Sequence, residues 1–317
     1  MAQDTYPVKL TAPDIEPYRA GNTGIDYVTT WDSGRPGPHA MVNAVTHGNE
    51  LCGAIAVDLL LREGIRPHRG RLTLGFANVA AYRAFDPRTP TASRFIDEDF
   101  NRVWDEATLD GPRQSTELAR ARQMRPLIDT VDYLLDIHSM QHATEPLMMA
   151  GLLDKSVDLA RRVGVPATIV RDAGHASGRR VRDYGGFGDA GSPKAALLAE
   201  CGQHWEQRAA DLAIETAFRF LAALGMIEAA TAARYGAAGP SPQQRVIRVT
   251  DAVTIASDRF EFVRDFKGME VLPQAGTLLG RDGDHEVRTP YDDCVLIMPS
   301  PRLSRGQTAV RLGRYEA

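Results

Sequence analysis

The chain is short of lysine, short of cysteine and without any long apolar run, and each shortage removes a class of function. Lysine occurs only at Lys9, Lys155, Lys194 and Lys267, so nearly all of the 37 basic residues are arginine. That composition suits two-pronged recognition of carboxylates rather than Schiff-base chemistry. The three cysteines, Cys52, Cys201 and Cys294, are far apart. They form neither a disulfide framework nor a Cys-x-x-Cys metal clip, and reduced thiols in a cytoplasmic protein are expected. No window approaches the ~18 consecutive apolar residues of a membrane span. The first residues, MAQDTYPVKLTAPDIEPYRA, carry acids and prolines where an export signal has a basic start and an apolar core. A basic excess is missing too: 37 Lys and Arg against 41 Asp and Glu leave a net charge of −4 and no field to hold a nucleic-acid backbone. What is present is ordinary for a globular chain, with 43% hydrophobic and 25% charged residues over 317 positions, enough for about two domains. The partner to expect is a small molecule, not a nucleic acid or a membrane; assembly into a homo-oligomer stays open.

From about residue 38, short β-branched apolar runs alternate with amphipathic stretches, which predicts an α/β domain around a largely parallel sheet. HAMVNAVTH (39–47) reads as a buried strand, and the helix after it runs from Asn49 to Glu63 with Leu51, Ile55 and Leu59 on one face. RLTLGFAN (71–78) is the next strand. Residues 79–112 are polar and hold three prolines, so they predict a long irregular segment of the kind that lines a site. A helix from Gln114 to Asp129 leads into the strand YLLDIH (133–138); LMMA, ATIV and KAALLAEC supply three more strands, and 206–224 a closing helix. YGAAGPSPQQ (235–244) has the composition of a linker. It divides a domain at 1–237 from a small all-β domain at 245–317, whose runs RVIRVTDAVTIAS, VLPQAGTLLG and CVLIMPS are separated by turns.

Three residues carry the first chemical signal. His47 and Glu50 stand in His-Gly-Asn-Glu directly after a strand, and His138 closes a second strand in Asp-Ile-His-Ser. Ligands of open α/β sheets bind beyond the carboxyl ends of strands, so residues distant in sequence can meet there. Two imidazoles and a carboxylate make a ligand set for one catalytic zinc, with the fourth position free for water. Taken singly these residues mean little, since a lone buried histidine is more often hydrogen-bonded in the core. His138 with His142, four apart, would be a rival pair on a helix, but the apolar run before them is a strand and Pro146 follows. The segment SRFIDEDFNR (93–102) adds Arg94, Asn101 and Arg102 to the expected site loop. One arginine there can face a carbonyl on which charge develops, while the other, with the amide, grips a carboxylate. Glu200 interrupts the apolar strand KAALLAEC, where a carboxylate needs a reason, and a general base beside an activated water supplies one. Cys201 falls on the opposite face, toward the core. Gly186-Phe-Gly188-Asp-Ala-Gly191 matches Gly-x-Gly-x-x-Gly but leads into a strand rather than a helix, which excludes a dinucleotide fingerprint.

The ordered motifs His47-x-x-Glu50, SRFIDEDFNR, Asp-Ile-His138-Ser and Ala-Glu200-Cys-Gly resemble those of the succinylglutamate desuccinylase/aspartoacylase family, relatives of the zinc carboxypeptidases, over about residues 40–205. The resemblance implies a carboxypeptidase-like α/β domain with a mostly parallel or mixed sheet flanked by helices, and a small C-terminal β domain acting as a lid or packing module. It implies one zinc ion per chain on His47, Glu50 and His138, with Glu200 as base, Arg94 as carbonyl polariser, and Asn101 with Arg102 as the carboxylate grip. Members that cleave acidic acyl-amino acids also use an arginine about ten residues before the base; here only Arg182 and Lys194 flank that stretch. They place a C-terminal tyrosine in the site as well, for which Tyr291 is the candidate. The C-terminal segment also looks like the hammerhead of biotinyl and lipoyl carriers, but its one lysine, Lys267, is far from the expected hairpin tip. The expected activity is hydrolysis of the amide of a small N-acyl amino acid. A carboxypeptidase acting on short peptides is the alternative from the same groups, and a metal-free binding or carrier protein is the alternative of another class.

Overall fold

β-Branched and aliphatic runs with no polar face can only be strands covered on both sides, and those in the first two-thirds of the chain form the middle of one sheet. The computed structural model describes residues 6–174, 177–237, 242–300 and 303–316. Its strands are β1 (Val28–Asp32), β2 (His39–Ala44), β3 (Arg71–Phe76), β4 (Tyr133–Met140), β5 (Leu147–Met149), β6 (Thr168–Arg171), β7 (Ala195–Gln203), β8 (Arg245–Thr254), β9 (Phe260–Phe262), β10 (Val271–Leu272), β11 (Leu278–Asp282), β12 (His285–Arg288), β13 (Cys294–Ile297) and β14 (Thr308–Tyr315). The helices are α1 (Leu51–Arg62), α2 (Val79–Arg83), α3 (Glu106–Asp110), α4 (Thr116–Ile128), α5 (Asp154–Val163), α6 (Gln207–Ala223) and α7 (Ala229–Ala232).

The large sheet has the order β1-β3-β2-β4-β7-β5-β6-β8-β14-β13-β10, and β12-β11-β9 form a separate small antiparallel sheet. The neighbours β3, β2, β4 and β7 are parallel, whereas β1 runs against β3, and β5 runs against β7 but parallel to β6. The mixed α/β architecture with a β-only C-terminal segment is thus as expected. One face of the sheet is covered by α1, α5 and α6 in the main apolar cluster, and the other by a second cluster built on Phe100, Trp104, Leu118 and Met124.

Two expected strands run further than the sequence indicates. β4 continues past His138 to Met140 and β7 past Glu200 to Gln203, with a break in their register between His138 and Met140. Irregular pairing of this kind often lies beside a site, where it re-aims side chains. The segment 79–112 is largely irregular, interrupted by α2, α3 and a 3-10 turn at Phe100–Arg102. Of the linker stretch 235–244, residues 238–241 lie outside the described residues. After it β8 pairs in parallel with β6, from Thr168 opposite Arg245 to Arg171 opposite Arg248, so the C-terminal strands lengthen the same sheet.

Candidate metal centre

The site is assembled where β2 and β4 end on one edge of this sheet. After Ala44 the chain turns at Val45, a β-branched residue with φ of 62°. That left-handed conformation costs such a residue on the order of 1–3 kcal/mol and is retained only where its surroundings enforce it. The turn delivers His47. Gly48 then passes so close to its neighbours that a Cβ would lie 2.2 Å from the Ala81 carbonyl carbon and 2.4 Å from Ser93 O. Its N–H donates to Arg94 O at 3.1 Å, tying the 93–102 loop to the turn. Glu50 occupies the N-cap of α1 without capping it. A side-chain cap contributes about 1 kcal/mol, and here the carboxylate is turned to the site instead.

Glu50 Oε1 lies 2.8 Å from His47 Nδ1, and Oε2 lies 2.9 Å from His138 Nδ1. One ligand atom from each of these three buried residues lies within 4.8 Å of the others, a group that can hold a metal ion. The far nitrogens support that use. His138 Nε2 is 2.6 Å from Asp136 Oδ2, and His47 Nε2 is 2.9 Å from Asp99 Oδ1. A carboxylate on the outer nitrogen fixes each ring's tautomer and leaves the inner nitrogen's lone pair for a cation, as in carboxylate–histidine–zinc arrangements. Asp136 is itself held by Asn43 Nδ2 at 2.7 Å and Thr46 Oγ1 at 2.8 Å. Burial opposes charge on Glu50 and His138, yet their partners prevail. The His47 and His138 rings hold Glu50 well below the usual carboxylate range, and Asp136 and Glu50 hold His138 well above the usual imidazole range. Two imidazoles, one carboxylate and their orienting acids fit a zinc ion.

Around this group stand the other candidates. Glu200 is opposite His138 in the β4–β7 register, hence on the same face. Its Oε2 is buried without a hydrogen-bond partner among the described residues. Burial, helped by Glu50, pushes its carboxyl up to about 8 against the pull of His138 and Arg94. Arg94 lies 2.9 Å from His47 Nε2, 3.4 Å from Glu50 Oε1 and 3.2 Å from Asp99 Oδ2. Asn101 accepts the Val181 N–H on its Oδ1 at 2.9 Å, which leaves its amide nitrogen as the remaining donor. Arg102 donates to Asn101 O at 2.7 Å, and among the described residues no carboxylate is within ion-pair distance of it. Burial, with Arg94, Arg180 and Arg311 nearby, brings its guanidinium down to about 10. Cys201 packs in the core with Cys52, as its strand position predicts.

Tyr291 is not brought to this group: its hydroxyl is 2.5 Å from Thr250 Oγ1 and Arg314 lies over its ring at 3.7 Å. His142 packs edge-on to Tyr6, outside the ligand set. Arg182 and Lys194 are committed elsewhere, Arg182 to Ala150 O and Asp183, and Lys194 to Asp129 O. Four residues near the site were not singled out from the sequence. Asp99 lies within SRFIDEDFNR and Asp136 opens Asp-Ile-His138-Ser; Asp136 carries a sequence signal, since it shares a strand face with His138 two positions on and interrupts an apolar run as Glu200 does. His204 is held by Ser139 Oγ at 2.8 Å and pushed down to about 3 by burial; only its position just beyond β7 hinted at it. Arg311 of β14 shares Asp172 with Arg180, at 3.2 and 3.3 Å, and the charge of Glu200 is felt at Arg311. Nothing local in the sequence joins β14 to β7.

Residues 36–191 match the family model described as the succinylglutamate desuccinylase/aspartoacylase catalytic domain. None of the curated proteins matches the chain. Among solved structures, the fold is shared with succinylglutamate desuccinylase from Vibrio parahaemolyticus (17% identity, 92% of this chain and 87% of that one, TM-score 0.66). It is likewise shared with a succinylglutamate desuccinylase/aspartoacylase from Rhodobacter sphaeroides (16%, 92% and 89%, TM-score 0.63). A third is the product-bound ectoine utilization protein EutE (DoeB) from Ruegeria pomeroyi (17%, 90% and 88%, TM-score 0.59). Among the described residues no helix is long and apolar enough to cross a membrane.

Proposed function

Because the chain belongs to the succinylglutamate desuccinylase/aspartoacylase family, we propose that it is a zinc-dependent hydrolase cleaving the amide bond of a small N-acyl amino acid, in the cytoplasm, with one zinc per chain. The observation that carries this reading is the buried group of His47, Glu50 and His138 with Glu200 beside it, whose Oε2 has no hydrogen-bond partner among the described residues. His47, Glu50 and His138 would hold the zinc ion, which would supply an activated water and a Lewis acid for the scissile carbonyl. Glu200 accepts the proton from the attacking water and returns it to the leaving amine nitrogen. Its raised affinity for a proton suits the second half of that shuttle, and the charge of a nearby divalent ion eases the first. Arg94 stabilises the charge that develops on the carbonyl oxygen. Asn101 and Arg102 hold the substrate α-carboxylate, which gives the largely buried guanidinium the carboxylate partner it does not find among the described residues. Tyr291 is left out, its hydroxyl and ring being taken by Thr250 and Arg314.

Metal analysis of the purified protein, followed by a panel of acetyl, succinyl and formyl amino acids with detection of the freed amine, tests the reading. One equivalent of zinc and release of amine are expected. Efficient cleavage of a tripeptide with none of the acyl amino acids hydrolysed would point to a carboxypeptidase, and absence of stoichiometric metal to a binding protein. Glu200→Gln is expected to keep zinc and lose turnover, whereas His138→Ala loses zinc.

A further inference from the structure

The segment that bears Arg94 and Asp99 has neither helix nor strand between Arg83 and Phe100, yet both groups meet His47 Nε2 within 3 Å. What fixes it is a carboxylate on another element. Glu117 is the second residue of α4, after the N-cap Ser115, and is completely buried. Its Oε1 accepts the Ile96 N–H at 2.7 Å and Asn78 Nδ2 at 3.0 Å; its Oε2 accepts the N–H groups of Asp97 at 3.1 Å and Glu98 at 3.2 Å. No arginine, lysine or histidine pairs with it among the described residues. Four donors and the amide-rich start of α4 satisfy the charge instead. The contact is reciprocal. The Thr116 N–H donates to Asp97 Oδ2 at 2.7 Å, and Ser115 Oγ donates to Glu98 Oε1 at 2.5 Å. Three consecutive loop amides are therefore clamped by one side chain, with Arg94 two residues before the clamp and Asp99 one residue after it.

We propose that Glu117 is a positioning residue for the metal centre: by holding the amides of residues 96–98 it sets Arg94 and Asp99 against His47. The inference rests on the reading of the site as a hydrolase centre, but two of its readouts do not. Glu117→Gln keeps the shape, loses the charge and turns an N–H₂ toward backbone donors; Glu117→Asp keeps the charge but draws the oxygens back by one methylene. In the zinc-loaded full chain we expect both variants to remain folded, and the amides of Ile96, Asp97 and Glu98 to exchange hydrogen faster. Zinc affinity, measured against a competing chelator, is expected to fall roughly tenfold in Glu117→Gln, because Asp99 no longer holds the His47 ring. At saturating zinc, kcat should fall at least about tenfold, as displacement of a catalytic group by about 1 Å costs, with a smaller fall for Glu117→Asp. At saturating zinc, where the contact of Asp99 with His47 no longer limits metal binding, Glu117→Gln combined with Arg94→Ala should lower kcat/KM no further than Arg94→Ala alone, because there Glu117 acts through Arg94. Unchanged amide exchange, unchanged zinc affinity, or losses that multiply in the double variant would each overturn the proposal. Unfolding of both variants would do so too, since the carboxylate would then hold the domain rather than the loop. If the wild-type protein hydrolyses no N-acyl amino acid, the functional reading falls, while exchange and zinc affinity still decide the role of Glu117.

Discussion

Asp136 and Glu200 are carboxylates set into apolar strands on one face of the sheet, and what surrounds each decides what it can do. Asp136 accepts from Asn43 and Thr46 and meets His138, so its charge is fully used. Glu200 has an oxygen with no partner among the described residues and holds its proton up to about pH 8. The folded protein thus binds a proton that the unfolded chain, with an ordinary value of 4.5, gives up first. The stability this proton confers is complete below about 4.5 and is lost as pH rises through about 8. In chelator-treated protein, Glu200→Gln should therefore gain melting temperature over the wild type progressively across that range and hold a constant advantage above it. Melts from pH 4 to 9 check this, and a difference independent of pH would remove the buried, proton-holding Glu200. His138 yields a prediction of opposite character. Its raised proton affinity must be overcome by an incoming ion, so zinc binding should release a proton and tighten as pH rises. Calorimetry in buffers of different ionisation enthalpy reads that proton directly. Glu200 was legible in the sequence because its polarity clashes with its strand, and Asp136 carries the same signal beside His138; the orienting role of Asp99 was not legible, because its partner His47 lies on another segment and leaves no local signature.

At the scale of elements, the sequence was most informative where periodicity was strong and least where geometry depends on close approach. The strands β2, β3, β4 and β7 and the helices α1, α4 and α6 follow from their apolar patterns. The edge strand β1, with only Val28 buried, offered little pattern; α5 was not anticipated although it is the most clearly amphipathic of the longer helices, with Val157, Ala160 and Val163 in the main apolar cluster. Residues 79–112 were legible as an irregular site-lining segment, but not the means that order it. One of those means is Gly48, whose missing side chain admits Ala81 and Ser93 and whose N–H meets Arg94 O. Both obstructing groups are backbone atoms and cannot swing aside. Gly48→Ala should cost about 1–3 kcal/mol of stability by overpacking. It should also lower kcat more than it raises KM, since the obstructed Ser93 carbonyl adjoins Arg94, whereas Asn101 and Arg102 of the carboxylate grip lie beyond the Glu117 clamp at the far end of the loop. Chemical denaturation and steady-state kinetics check the two halves, and a silent substitution would remove the close approach as a determinant of the site.

Across the whole molecule the question is whether the C-terminal segment is an accessory or part of the catalytic body. Composition separates it at the Gly- and Pro-rich stretch 235–244, and a boundary there gives 1–237 and 245–317. Composition cannot show which edge of a sheet the next strand will use, because pairing depends on residues far apart in sequence. β8 joins β6 in parallel, and Ile247, Val295 and Ile297 close a buried cluster with Leu147, Met149, Val170 and Leu198 from β5, β6 and β7. Leu198 is two residues from Glu200 and on the same face of β7. Arg311 of β14 in turn feels the charge of Glu200. A chain ending at residue 243 would therefore leave the β6 edge unpaired and the apolar face beneath Glu200 in water, an arrangement that invites edge-to-edge association. The truncated chain should lose its cooperative thermal transition or aggregate, and should recover neither zinc affinity nor activity when residues 245–317 are supplied as a separate peptide without refolding. A soluble 1–243 fragment that melts cooperatively near the temperature of the full chain would instead make the C-terminal strands a detachable module, and Arg311→Met should then leave kcat/KM unchanged. If the strands belong to the catalytic body, Arg311→Met in the intact chain removes a positive charge that interacts electrostatically with Glu200, and its kcat/KM toward N-acyl amino acids should fall several-fold.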